Sequence, residues 1–214
     1  MQIKDYIDHT VLKATAQPSD IEKLCEEAKE YGFKAVCVNG CYTKLAKEQL
    51  KNSKVQLAIV IGFPLGSMST EAKVFEASEG IRNGADEIDM VINVGWLKSG
   101  KSEWVKQEIS KIKQAIGDKV LKVIIETCYL TQEEKIKACE LAVEAKADYV
   151  KTSTGFGTGG ATFEDVKLMK EVVGDKAKIK ASGGVKDRAT ALKYISLGVS
   201  RIGTSSGIAI AATN

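Results

Sequence analysis

The chain has 214 residues, 31 basic against 28 acidic side chains for a net charge of +3, and is 44% apolar and 28% charged. The two signs are interleaved, so there is no basic stripe for nucleic acid and no polybasic tract for a membrane surface, and no apolar run approaches the length of a spanning helix. Two prolines and no Gly/Pro/Ser-rich linker mark no boundary, so residues 1–214 read as a single domain.

Five cysteines, at 25, 37, 41, 128 and 139, are odd in number and form no Cys-x-x-Cys pair. With no apolar signal region at the N-terminus, this predicts a reduced, soluble, cytoplasmic protein. His9 is the only histidine and no two cysteines have zinc spacing, so no metal site is expected.

In chain order, apolar runs at 7–12, 34–38, 55–62, 87–93, 121–127, 149–154, 178–182 and 201–204 predict strands. Amphipathic patterns at 19–31, 42–51, 68–83, 102–116, 132–146, 163–173 and 187–197 predict the helices between them, and a short helix follows the last strand. Ser19 with Glu22, and Thr131 with Glu134, fit the capping box. Gly32, Gly84 and Gly198 stand where helices end before strands.

Alternating strands and helices imply an α/β protein with a parallel sheet, and eight strands suit a TIM (β/α)8 barrel. A doubly wound open sheet is the alternative, but no Gly-x-Gly-x-x-Gly follows the first strand. The alternation along the strands favours the barrel. Glu87, Asp89 and Asn93 share one face of their strand, with Ile88, Met90 and Ile92 on the other. The outer face of a barrel packs on helices, so the polar set points inward. The same parity turns Asp8, Thr10 and Leu12 inward, and likewise Lys122 with Glu126, Lys151 with Ser153, and Lys178 with Lys180 and Ser182.

The expected interior collects Lys151, Lys180, Lys122, Asp89, Glu126 and Asp8. A buried lysine must be desolvated, and two of them in one cavity depress at least one pKa, leaving a neutral, nucleophilic amine. The plain alternative is a structural ion network, with Asp89 and Glu126 neutralising the lysines. Gly183-Gly184 after the seventh strand and Gly203-Thr204-Ser205-Ser206-Gly207 after the eighth shift the balance toward a catalytic site. Loops at those two corners are the usual phosphate site of such barrels. A third glycine-rich segment, Thr154 to Gly160, follows Lys151 and reads as a mobile loop over the site. His9, Trp96 and Trp104 read as structural, and Cys37 as a small buried residue bordering the pocket.

Asp8-His9-Thr10, Val36-Cys37-Val38-Asn39, Gly62-Phe63-Pro64-Leu65-Gly66, Glu87-Ile88-Asp89-Met90-Val91-Ile92-Asn93, Val150-Lys151-Thr152-Ser153-Thr154-Gly155-Phe156, Lys180-Ala181-Ser182-Gly183-Gly184 and Gly203-Thr204-Ser205-Ser206-Gly207 stand in one order from about residue 5 to 210. Together they resemble the deoxyribose-phosphate aldolase family. The resemblance implies a class I aldolase on a TIM barrel, interconverting 2-deoxy-D-ribose 5-phosphate with D-glyceraldehyde 3-phosphate and acetaldehyde in deoxyribonucleoside catabolism. It implies Lys151 as the Schiff-base lysine, Asp89 and Lys180 as the proton donor/acceptor pair, and a phosphate held by Gly183, Gly184, Ser205 and Ser206. Gly155, Gly203 and Thr152 join the binding candidates, and Asp8, Thr10, Cys37, Lys122 and Glu126 the remaining pocket candidates.

No cofactor is expected, because the lysine itself becomes the electron sink. The partners implied are small sugar-phosphate and aldehyde substrates and further copies of the chain, as a dimer or tetramer. Two departures stand out. Phe156 replaces a lysine that some members place beside the phosphate. The sequence ends at Ala212-Thr213-Asn214, without the C-terminal tyrosine that assists proton transfer in some members. Two other readings remain open from the residues alone: a different sugar-phosphate aldolase, and an inactive phosphosugar-binding barrel.

Overall fold

The computed structural model describes residues 2–212, so the final residues of the tail lie outside the described part. Eight parallel strands close into a barrel in sequence order: β1 (Ile7–Val11), β2 (Ala35–Asn39), β3 (Gln56–Ile61), β4 (Glu87–Val91), β5 (Val120–Ile124), β6 (Tyr149–Lys151), β7 (Lys178–Ser182) and β8 (Arg201–Thr204). The closing pair sets Asp8 beside Gly203. The other strand pairs set Asp89 beside Lys122, and Lys151 beside Lys180.

The helices are α1 (Pro18–Tyr31), α2 (Thr43–Gln49), α3 (Thr70–Arg82), α4 (Val94–Lys98), α5 (Ser102–Ile116), α6 (Gln132–Glu144), α7 (Phe163–Val173), α8 (Arg188–Ser196) and α9 (Gly207–Ala211). Among the described residues none is long and apolar enough to cross a membrane. The longer helices bury one stripe against the barrel wall. In α5 the buried stripe includes Val105, Ile109, Ile112 and Ile116, each contributing roughly 1.5–3 kcal/mol of burial.

Local chemistry sets where helices begin. Thr131 Oγ1 accepts from Glu134 N at 3.3 Å, and Glu134 Oε2 accepts from Thr131 N at 2.8 Å, closing the expected box. The Ser19–Glu22 box does not form. Pro18 opens α1, whose missing N–H costs nothing in the first turn, and Asp20 accepts from Gln17 N at 2.8 Å instead. Helix α4 had no sequence signal, because one turn is too short to show a helical period. It starts where Asn93 Oδ1 accepts from Trp96 N at 3.1 Å.

Inward and outward faces follow the strand alternation. Ile88, Met90, Ile92, Val150, Ile179 and Ala181 lie in the large apolar layer between strands and helices. Asp8, Cys37, Asp89, Lys122, Lys151 and Lys180 are buried, and the contacts among their charged groups place these inside the barrel. Lys178 departs from the expectation. It is exposed at the start of β7, with Nζ 5.7 Å from the centre of the Tyr149 ring, because a long side chain on the first residue of a strand can reach water past the rim. Strands β4, β5 and β6 also stop two or three residues early, freeing their C-terminal ends to build loops.

Candidate active site

Asp89 on β4 is the hub. Its Oδ1 accepts from Lys122 Nζ at 2.6 Å, and its Oδ2 accepts from both Lys151 Nζ at 2.8 Å and Lys180 Nζ at 2.7 Å. Strand register makes this possible, since Lys122 sits beside Asp89 and Lys180 beside Lys151. Two further carboxylates complete the cluster. Asp8 Oδ2 lies 2.5 Å from Lys180 Nζ as an ion pair, and Asp8 Oδ1 accepts from Arg201 Nε at 2.6 Å. Glu87 accepts from both terminal nitrogens of Arg201, at 3.0 and 2.9 Å, and lies 2.6 Å from Lys122 Nζ.

All of these groups are buried. The charge count is therefore informative: Asp8, Glu87 and Asp89 are balanced by Lys122, Lys180 and Arg201, and Lys151 is a fourth base with no fourth carboxylate. A buried cluster is least costly when neutral, which favours an uncharged Lys151. The individual groups agree. Burial alone would raise the Asp89 pKa, but Lys122, Lys151 and Lys180 hold it well below the usual carboxylate range. Burial likewise opposes ionisation of Asp8, and Arg201, Lys180 and Lys122 overcome it. Burial pushes Lys180 down, yet Asp8 and Asp89 raise it above an ordinary lysine. Lys151 goes the other way: burial depresses it, Asp89 only partly restores it, and the charge of Lys180 lowers it again.

Lys151 is also the basic group of the cluster that reaches a cavity. That cavity, about 640 Å³, is lined by Lys151, Thr10, Gly155, Gly183, Gly184, Gly203 and Ser205, with Lys13, Thr154, Phe156, Ser182 and Lys186. The expected phosphate corners thus face the same space as the amine. Gly183 and Gly184 take φ of +84° and +82°, a region open to glycine and strained for other residues. Asp8, Asp89, Lys122 and Lys180 lie beneath the floor, as does Cys37, whose thiol is raised by burial and by Asp89.

Three further candidates do not line this cavity. Thr152 is fully buried and bridges strands, donating from Oγ1 to Ser182 O and accepting from Ser182 N, both at 3.1 Å. Ser206 does not line the cavity, and its N–H donates to Thr204 Oγ1 at 2.9 Å. Glu126 touches no lysine: β5 ends at Ile124, so the strand parity that turned it inward no longer applies, and its carboxylate goes to Thr154. The segment after Lys151 is pinned rather than free, since Ala161 N donates to Ser182 O and Gly183 O, both at 3.1 Å. His9 has Nε2 2.7 Å from Glu27 Oε2 and its ring edge-on to Phe33, and it borders the cavity.

Sequence reasoning overlooked Arg201, and left Glu87 out of the constellation although its parity was read as inward. The signal for Arg201 was present: it shares its strand face with Gly203, the residue beside Asp8.

The profile of the DeoC/LacD family aldolases matches residues 3–211. Deoxyribose-phosphate aldolase of Carboxydothermus hydrogenoformans is 60% identical over 213 residues, covering 98% of this chain and 93% of that one. Among solved structures, the aldolase QR15 superposes with a TM-score of 0.95 at 45% identity, covering 99% of this chain and 95% of its own. The tetrameric deoxyribose phosphate aldolase of Aeropyrum pernix gives 0.89 at 32% identity, covering 98% and 89%. With its closed barrel, buried lysines and near full-length matches, the chain belongs to the DeoC/LacD aldolase family.

Proposed function

We infer that the protein is a class I aldolase that cleaves 2-deoxy-D-ribose 5-phosphate to D-glyceraldehyde 3-phosphate and acetaldehyde, with Lys151 as the Schiff-base lysine. The observation that carries the assignment is Lys151 itself: a desolvated amine in excess of the cluster's carboxylates, on the floor of the cavity.

Neutral Lys151 attacks C1 of the open-chain sugar, and Asp89, 2.8 Å from its Nζ, takes the proton the amine sheds and passes it to the C1 alkoxide, giving the carbinolamine. Lys180, held cationic by Asp8 and Asp89, protonates the departing hydroxyl, so water leaves and an iminium forms. The C2–C3 bond then breaks and its electrons flow into the iminium as an enamine. The C3 hydroxyl proton passes to Asp89 and on to Lys180, 2.7 Å away, which delivers it to the enamine carbon. Hydrolysis of the resulting iminium frees acetaldehyde, regenerates the neutral amine and returns the last proton to Lys180. Backbone and side chains at Gly183, Gly184, Gly203 and Ser205 hold the phosphate, with Lys13 and Lys186 supplying positive charge on the same cavity.

This reading entails a cytoplasmic enzyme and a homo-oligomer, the latter supported by the tetrameric relative. Borohydride with acetaldehyde adds one reduced two-carbon adduct, mapped to Lys151 by mass spectrometry. Trapping that persists in Lys151→Ala rules the assignment out.

A further inference from the structure

We propose that Glu126 is a positioning residue: through Thr154 its buried carboxylate fixes the loop after Lys151 and thereby sets how the barrel receives the phosphorylated half of its substrate. The proposal rests on the aldolase reading above.

Glu126 stands just past β5 with φ 54° and ψ 68°, a left-handed conformation that a non-glycine residue adopts only when its surroundings demand it. It is 3% exposed and, among the described residues, makes no ion pair. A buried carboxylate without a cation must be satisfied by hydrogen bonds, and here Thr154 supplies them. Glu126 Oε1 accepts from Thr154 N at 3.1 Å and Oε2 accepts from Thr154 Oγ1. The same Oγ1 accepts from Phe156 N at 3.0 Å. One carboxylate therefore orients a hydroxyl, and that hydroxyl orients the backbone two residues on.

The remainder of the loop is built to that placement. A Cβ on Gly157 would lie 2.8 Å from Cys128 Sγ and 3.3 Å from the Glu126 carboxyl carbon. A Cβ on Gly160 would lie 2.3 Å from Gly183 O. The loop is thus stretched between Glu126 and the phosphate corner, and Thr154, Gly155 and Phe156 present its inner surface to the 640 Å³ cavity. Lys151 lies upstream of the latch and is held independently by Asp89 and by Ile125 N, which donates to Lys151 O at 3.1 Å. Losing the latch displaces the wall and leaves the amine in place.

The test separates the two halves of the reaction in the full-length protein. Glu126→Gln keeps the shape but puts an N–H₂ where an acceptor is needed. The expected result is a KM for deoxyribose 5-phosphate raised about tenfold, with the rate of borohydride trapping of acetaldehyde within about twofold of the parent. Thr154→Val reproduces the KM rise, Thr154→Ser restores the parent KM, and the Glu126→Gln/Thr154→Val pair is no worse than the poorer single variant, because both break one link. Unchanged KM, trapping that falls in step with cleavage, or additive effects in the double variant overturn the proposal. If Glu126→Gln does not fold, the Thr154 variants decide alone by the same KM and trapping readouts. Failure of the parent protein to trap acetaldehyde overturns the aldolase reading instead.

Discussion

Lys151 and Lys180 share one oxygen of Asp89, yet they are driven in opposite directions. The difference is the company each keeps: Lys180 has a second carboxylate, Asp8, and Lys151 has none. Opposite pH shifts follow for two substitutions. Only the neutral amine attacks, so kcat/KM rises with pH through the Lys151 pKa. Lys180 lowers that pKa and Asp89 raises it. Lys180→Met therefore moves the acid limb of the profile to higher pH, and Asp89→Asn moves it to lower pH; coincident limbs in all three proteins would remove electrostatic tuning from the account. Asp89→Asn also loses about 10²–10⁴ in kcat if the carboxylate carries protons, as single-turnover kinetics would register.

At the scale of elements, the decisive features are strand ends. Strand β6 stops at Lys151, and the segment that follows must turn over the cavity and come back beside Gly183. Gly160 makes this possible by approach rather than by backbone angle, since the atom that would meet its Cβ is a carbonyl oxygen that cannot swing aside. Gly160→Ala therefore pushes the loop off the phosphate corner and raises KM for the sugar phosphate by about tenfold or more. Gly40→Ala serves as the comparison: nothing lies within 4 Å of its Cβ, and its stability stays within about 0.5 kcal/mol of the parent by thermal melting. Helix ends show how far local reading reaches. The Thr131–Glu134 box was legible because both partners lie in one turn. Pro18 displaced the Ser19–Glu22 box because a proline at the first helical position moves the cap two residues earlier, to Gln17.

For the whole molecule, closure of the barrel and charge balance are one matter. Arg201 on β8 reaches Asp8 on β1 and Glu87 on β4, tying the last strand to the first and to the far wall. Arg201→Met leaves two buried carboxylates short of a partner and destabilises the fold by roughly 3–5 kcal/mol, measurable as a lower denaturant midpoint. Acid acts on the same cluster. Asp8 and Asp89 have folded-state pKa values depressed below the ordinary 3.8, so the unfolded chain binds protons first. Their contribution is complete above that value and is lost as pH falls toward the folded values. Melting temperature should therefore drop steeply below about pH 4, and less steeply in a variant lacking Asp8.

The period-2 alternation decided in the sequence which side chains face inward, because pleating is a local property of each strand. It marked Lys151, Lys180, Asp89, Lys122 and Asp8 as inward-facing, and the glycine runs marked two corners that line the cavity. It failed for Glu126, which lies beyond the last ladder pair of β5, where alternation no longer constrains direction, and for Lys178, which is exposed at the start of β7. Pairing belonged to the tertiary structure alone. Asp89 meets lysines 62 and 91 residues away, and Arg201 meets Asp8 across 193. Such contacts depend on strand register and closure of the sheet, and no local signal carries either. The same closure decided which lysine would be left without a carboxylate of its own.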